Sequence, residues 1–144
     1  MQTLTIPGID NPVSRIVLGT MIIDAGRQDD SDALLDAAFE NGIRTFDTAW
    51  VYAGGNSERG IGSWLARRGL RDQVVILSKG CHPNGDRPRV TPFDLYGDVH
   101  DCLARLQVDC VDLYMFHRDD PAVAVGGLVD AMNELIQAGK ICAY

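Results

Sequence analysis

Apolar residues along the chain gather into short blocks, and amphipathic stretches separate them. Residues 15–20 (RIVLGT), 43–48 (IRTFDT), 74–79 (VVILSK) and 111–117 (VDLYMFH) have strand length and are rich in β-branched or aromatic side chains. Between these blocks the apolar positions take helical spacing. Residues 31–41 carry Ala33, Leu34, Ala37, Ala38 and Phe39, with Ser31 placed as N-cap and Gly42 just past the end. Further helices are predicted over residues 57–68, stopped by Gly69; over 91–106, with Pro92 at the first position; and over 122–138, stopped by Gly139.

Strands that are apolar almost throughout, with helices between them, predict parallel βαβ units buried on both faces. The head of the chain differs. Residues 4–6 and 13–14 flank Pro7, Gly8 and Asn11-Pro12, which reads as a short hairpin ahead of the first long strand. After the last helix, residues 141–144 begin a fifth strand. The βα pair repeats at about 30 residues, and an eight-unit barrel takes roughly 250. The expectation is one α/β domain over residues 1–144: the N-terminal half of a (β/α)8 TIM barrel, with the hairpin, four βα units and the start of a fifth strand.

Charge narrows the partners. With 13 Lys and Arg against 20 Asp and Glu, the net charge is −7, a poor match to nucleic acid or anionic lipid. No apolar run approaches the roughly 18 residues of a membrane span, and the first residues lack the pattern of a signal peptide. A cytoplasmic protein without nucleic-acid or membrane partners is expected. Cys81, Cys102, Cys110 and Cys142 form no CxxC pair, so disulfides and structural metal are disfavoured. Three of the four thiols adjoin apolar stretches and are expected to pack as small hydrophobes; Cys81 follows a polar strand end and is left open.

In a parallel barrel or sheet, chemistry collects at the carboxyl ends of the strands. Those ends here carry Thr20-Met21, Asp47, Lys79 and His117, and Tyr52 lies on the loop five residues past Asp47. Each residue alone has a structural reading: a turn, a solvated cation, a packed phenol, a core histidine. Together they supply a phenol, a cation able to stabilise its phenolate, a carboxylate to hold that cation and an imidazole donor. Such a set suits proton transfer to a carbonyl oxygen.

The stretches Leu18-Gly-Thr20, Phe46-Asp-Thr-Ala-Trp-Val-Tyr-Ala-Gly-Gly-Asn-Ser-Glu58, Leu77-Ser-Lys79, Asp112-Leu-Tyr-Met-Phe-His117 and Gly139-Lys-Ile-Cys-Ala-Tyr144 together resemble the aldo-keto reductases. These are NAD(P)H-dependent (β/α)8-barrel oxidoreductases, and the resemblance spans nearly the whole chain, with two extra positions between Tyr52 and Glu58. It implies that Tyr52 is the general acid in reduction of an aldehyde or ketone, that Lys79 stabilises its phenolate, that Asp47 holds Lys79 and that His117 orients the carbonyl. Thr20 and Asp47 would approach the nicotinamide and its ribose, and Met21 and Trp50 would line the substrate mouth. The implied cofactor is NADPH or NADH, with no metal. The family's remaining cofactor contacts would lie beyond Tyr144: a Ser-Asn pair after the fifth strand, a glutamine on the sixth and basic loops for the adenosine phosphate. The resemblance therefore implies a truncated form that does not bind NADPH tightly by itself. Its expected partners are a small carbonyl substrate and, at the unpaired edge strands, a second copy or a complementary half-barrel chain.

Two other readings compete. A catalytically inert half-barrel would serve as a binding or assembly module. A metal-dependent hydrolase would use Asp47, His82 and His117 as ligands, but the sequence has no close-spaced ligand pair to support it. Arg67-Arg68 reads as a solvated helix end, and Arg87 and Arg89 as a surface loop.

Overall fold

The computed structural model describes residues 1–144. Strands β1 (Thr3–Leu4) and β2 (Val13–Ser14) pair antiparallel as the predicted hairpin, with Thr3 opposite Ser14. Five strands then form one parallel sheet in chain order: β3 (Val17–Gly19), β4 (Thr45–Asp47), β5 (Val75–Gly80), β6 (Val111–Phe116) and β7 (Ile141–Ala143). Helices α1 (Gln28–Glu40), α2 (Asn56–Arg68), α3 (Pro92–Leu106) and α4 (Val125–Gln137) make the crossovers between successive strands. Leu18 pairs with Phe46, Phe46 with Ile76, and Ser78 with Tyr114, so alternate residues of neighbouring strands share a face.

Phe46, Ile76 and Tyr114 turn toward the helices and are fully buried, packed in one cluster with Leu35, Trp64 and Leu95. Phe46 lies 5.3 Å from Trp64 between ring centroids, and the indole N–H of Trp64 is satisfied by Asp36 on α1 at 2.8 Å. A smaller cluster of Ile9, Val13 and Val75 sits where the hairpin meets the N-terminal end of β5. Helices α2 and α3 approach so closely at Gly62 that a Cβ there would lie 2.5 Å from the Arg105 carbonyl oxygen. The pair needs glycine for this contact.

β5 keeps the six residues of its apolar block, displaced by one, whereas β3, a sheet edge with one neighbour, and β4 pair over only three residues each. Ser31 is not an N-cap. Helix α1 starts three residues earlier, and the Ser31 hydroxyl donates to the Asp24 carbonyl and accepts from its N–H, both at 3.0 Å. The loop before α1 caps itself instead, through Asp24 and the Gly26 N–H at 2.8 Å. Helix α3 begins at Pro92 with Thr91 as its cap, as predicted, but ends on Gln107 in the left-handed region (φ +58°) where no glycine follows. Helix α4 begins at Val125 rather than at residue 122, since Asp120 accepts from the Ala122 N–H and holds those residues in a turn. Arg67 and Arg68 are not merely solvated: they pair with Asp32 and Asp36 and tie α2 to α1. No helix is long and apolar enough to cross a membrane. All four cysteines are free, with Cys81 and Cys102 buried in the core.

Candidate active site

Backbone hydrogen bonds continue past the strands and bind their carboxyl ends into one rim. The Thr20 N–H donates to the Asp47 carbonyl at 2.9 Å, Thr48 to Leu77 at 2.8 Å, Trp50 to Lys79 at 2.8 Å, and His117 to Gly80 at 2.8 Å. A rim made this way fixes the roots of Asp47, Lys79 and His117 relative to one another. Beneath it lies a buried knot of hydroxyls. Ser57 at the start of α2 donates to the Thr20 carbonyl at 2.8 Å, Thr20 donates to the Asp47 carbonyl at 2.9 Å, and Thr48 shares a 3.1 Å contact with Ser57. Each hydroxyl has one proton, so these bonds commit the Thr20 hydroxyl to the protein interior.

Lys79 extends from the end of β5 with only 12% of its side chain exposed. Its ammonium meets the Asp47 carboxylate and donates to the Thr48 carbonyl at 2.6 Å. A cation this enclosed is tolerable because both partners come from the neighbouring strand end. Tyr52 arrives over the same group on a tight turn, its N–H bonded to the Ala49 carbonyl at 3.1 Å. The turn requires left-handed backbone at Ala53 (φ +50°), Gly54 (+62°) and Gly55 (+88°), and a Cβ on Gly55 would strike the Arg105 guanidinium at 2.6 Å. The Tyr52 ring centroid ends 5.0 Å from the Lys79 nitrogen.

His117 stands edge-on to Tyr52, with ring centroids 5.8 Å apart and planes at 85°, and His82 stands edge-on to His117 at 4.7 Å. Burial, then the charges of His82, Lys79 and Arg118, hold the His117 imidazole below its ordinary pKa, with Asp47 opposing. The ring is therefore neutral at pH 7. Its Nδ1 is buried without a partner. A bare lone pair there costs less than an unpaired N–H, which places the proton on Nε2 and makes that atom a donor.

The structure thus brings together Asp47, Tyr52, Lys79 and His117. It places Thr20 directly behind them and leaves Met21 on the rim with 68% of its surface exposed. Trp50 is turned toward α3. Its indole donates to Asp101 at 3.0 Å, and the guanidinium groups of Arg89 (4.5 Å) and Arg105 (5.3 Å) lie over its ring. His82 touches His117, yet no group of three or more His, Cys, Asp or Glu side chains assembles in a form that could hold a metal ion.

Two supporting groups escape the pattern of strand ends. Glu58 on α2 is fully buried, accepts from Ser78 at 2.9 Å and from Arg105 at 3.2 Å, and burial pushes its carboxyl above the usual range. Arg105 in turn donates to the Trp50 carbonyl at 2.9 Å, so the pair anchors the loop that leads to Tyr52. The second group corrects the reading of Arg87 and Arg89 as a plain surface loop. Arg89 is nine-tenths buried and bonds Asp98 at 2.5 Å, while Arg87 grips Asp94 through two 2.6 Å bonds. Neither a Glu that closes the Phe46–Glu58 stretch nor an Arg beside Pro88 gives a hint that its partners lie on α3.

The sequence profile of the Aldo/keto reductase family matches residues 15–144. Aldo-keto reductase YhdN of Bacillus subtilis is 33% identical over 99% of this chain and 46% of its own length, and Protein tas of Escherichia coli is 32% identical over 98% of this chain and 50% of its own. Among solved structures, a glycerol dehydrogenase from Gluconobacter oxydans superposes with a TM-score of 0.85 at 34% identity, covering 98% of this chain and 46% of that one. An aldo-keto reductase from Klebsiella pneumoniae in complex with NADPH gives 0.73 at 33% identity, covering 90% and 44%. The chain spans about half the length of the relatives it matches. The five parallel strands and four helices correspond to part of their (β/α)8 barrel.

Proposed function

The chain belongs to the aldo/keto reductase family, and from that premise we propose that it carries the proton-transfer centre for NAD(P)H-dependent reduction of an aldehyde or ketone. The observation that carries the reading is the Lys79 ammonium, enclosed by Asp47 and the Thr48 carbonyl and set 5.0 Å from the Tyr52 ring. As Tyr52 gives its proton to the carbonyl oxygen, negative charge gathers on its own oxygen, and the nearby ammonium stabilises it. His117, with its proton on Nε2, offers a second hydrogen bond to the same oxygen and orients the carbonyl. Met21 borders the substrate entrance.

The residues present fit the nicotinamide end of the cofactor. Asp47 keeps about a third of its side chain exposed (35%) and can accept from a ribose hydroxyl, while buried Thr20 forms the floor behind it. A dihydronicotinamide bound there supplies hydride to the carbonyl carbon. The phosphate end is less well provided, because Asp94 and Asp98 already engage Arg87 and Arg89. We expect NADPH to bind these 144 residues more weakly than low-micromolar, and isothermal titration measures it directly.

The test is oxidation of NADPH on a panel of aldehydes, run on fractions whose mass is fixed by light scattering. A defined assembly with turnover that is lost in Tyr52→Phe supports the reading. Turnover that persists in Tyr52→Phe overturns it, and a monomer or heterogeneous aggregate without turnover means that the site residues are present but stranded, with the activity belonging to a longer chain.

A further inference from the structure

We propose that Cys110 and Cys142 are a modification site: a dithiol that a hydroperoxide converts to an intrachain disulfide, stapling β7 to β6. Their sulfur atoms lie 3.2 Å apart although 32 residues separate them in sequence. Both thiols are free and partly exposed. The register explains the meeting. Val111 pairs with Ile141 and Leu113 with Ala143, so Cys142 faces Asp112, and Cys110 lies one diagonal step away on the same face of the sheet. Cys110 belongs to the turn before β6 and is free of the strand ladder. From 3.2 Å the sulfurs need to close by only about 1.2 Å to reach bonding distance.

The pair opens on a cleft of about 410 Å³ that Asp10, Asn11, Arg71 and Asp112 also line. This cleft belongs to the N-terminal ends of the strands, opposite the end that carries Lys79 and His117. Modification there does not touch the groups assigned to proton transfer. A small oxidant has access that the buried Cys81 and Cys102 deny it.

With hydrogen peroxide the step balances as follows. One thiolate attacks a peroxide oxygen, the O–O bond breaks, and a sulfenic acid and water form. The second sulfur then displaces the sulfenic hydroxyl as water and the S–S bond closes. Overall two thiols lose two electrons and two protons, and one peroxide becomes two waters. Burial, Cys142 and Asp112 push the Cys110 thiol up to about 12, with Arg71 opposing. The thiolate is therefore scarce near neutrality, and oxidation quickens as the pH rises.

Strand β7 has three residues and a single neighbour in the sheet, so a covalent tie to β6 changes how firmly it is held. The closed loop contains all of α4 and is long enough for a substantial entropic effect. The expected rise in Tm is roughly 10 °C.

The experiment treats the chain with stoichiometric hydrogen peroxide at mildly alkaline pH, alkylates the remaining thiols and maps peptides by mass spectrometry. The expected result is a loss of about 2 Da, two thiols protected from alkylation and a linked peptide joining Cys110 to Cys142, all reversed by a dithiol reductant. Four alkylated thiols after oxidation overturn the proposal, as does a linkage through Cys81 or Cys102, a bond between two chains or a sulfinic acid without a linkage. Cys110→Ser and Cys142→Ser each abolish both the linkage and the rise in Tm. Because the mapping uses the unsubstituted chain, failure of either variant to fold leaves the test intact.

Discussion

Asp47 and Lys79 meet on a diagonal of the sheet: Asp47 pairs in register with Leu77, and Lys79, two residues further along β5, reaches its carboxylate. With Lys79 almost enclosed, Asp47→Asn leaves a cation with no anionic partner, only the neutral oxygens of the Thr48 carbonyl and the new amide. The expected loss is about 1–3 kcal/mol. Adding Lys79→Met removes the stranded charge and restores part of it, so urea unfolding of the two single variants and the double variant gives a non-additive cycle. Additive losses would show that the two groups are not coupled.

His117 is expected to titrate below 6.5, mainly because it is buried. Its folded pKa is depressed, so the stability it contributes is present above the unfolded value and fades as the pH falls through the folded one. Ring resonances in an NMR titration measure this. Lys79→Met moves the midpoint upward only part of the way, since burial remains. A wild-type midpoint at or above 6.5 contradicts the assignment of a neutral imidazole.

Arg87, with Thr91 and Arg89 helping against the cost of burial, holds the Asp94 carboxyl at about 2, against an ordinary 3.8. A depressed carboxylate adds stability above its unfolded pKa and loses it as the pH falls, here between 3.8 and about 2. The amount is about 2 kcal/mol. Asp94→Asn flattens this acid limb in urea midpoints measured against pH, and an unchanged slope would count against the network.

Two glycine substitutions should move stability in opposite directions. Gly62→Ala drives a methyl against the Arg105 and Leu106 carbonyls, which are backbone and cannot turn aside, and costs about 1–3 kcal/mol. Gly97→Ala, inside α3 with nothing within 4 Å of the added Cβ, gains roughly 0.5–1 kcal/mol of helix propensity. Thermal unfolding of the two variants distinguishes packing from propensity.

Much of this is legible in the amino-acid sequence. Apolar blocks marked β4, β5 and β6 because strands buried on both faces need apolar residues throughout, and Gly69 and Gly139 marked helix ends because left-handed caps favour glycine. The reading of strand ends found Asp47, Lys79 and His117, since parallel topology alone brings carboxyl ends together. It missed what acts at a distance in sequence. Ser31 looks like a cap, but the turn through Asp24 had already started the chain into a helix. Glu58 and Arg105 are 47 residues apart, and only the close approach of α2 and α3 makes them partners. The meeting of Cys110 with Cys142 is likewise set by register, which cysteine spacing does not encode.

The order of the five-stranded sheet is the order of the chain: every strand after β3 lies beside the one made just before it. During synthesis each βα unit after β3 emerges to find its neighbour already in place. Assembly can then proceed as a ratchet from the amino terminus, with one exposed edge advancing along the growing sheet. On that route the rim gains its groups in sequence, Asp47 first, then Tyr52, then Lys79, and His117 last.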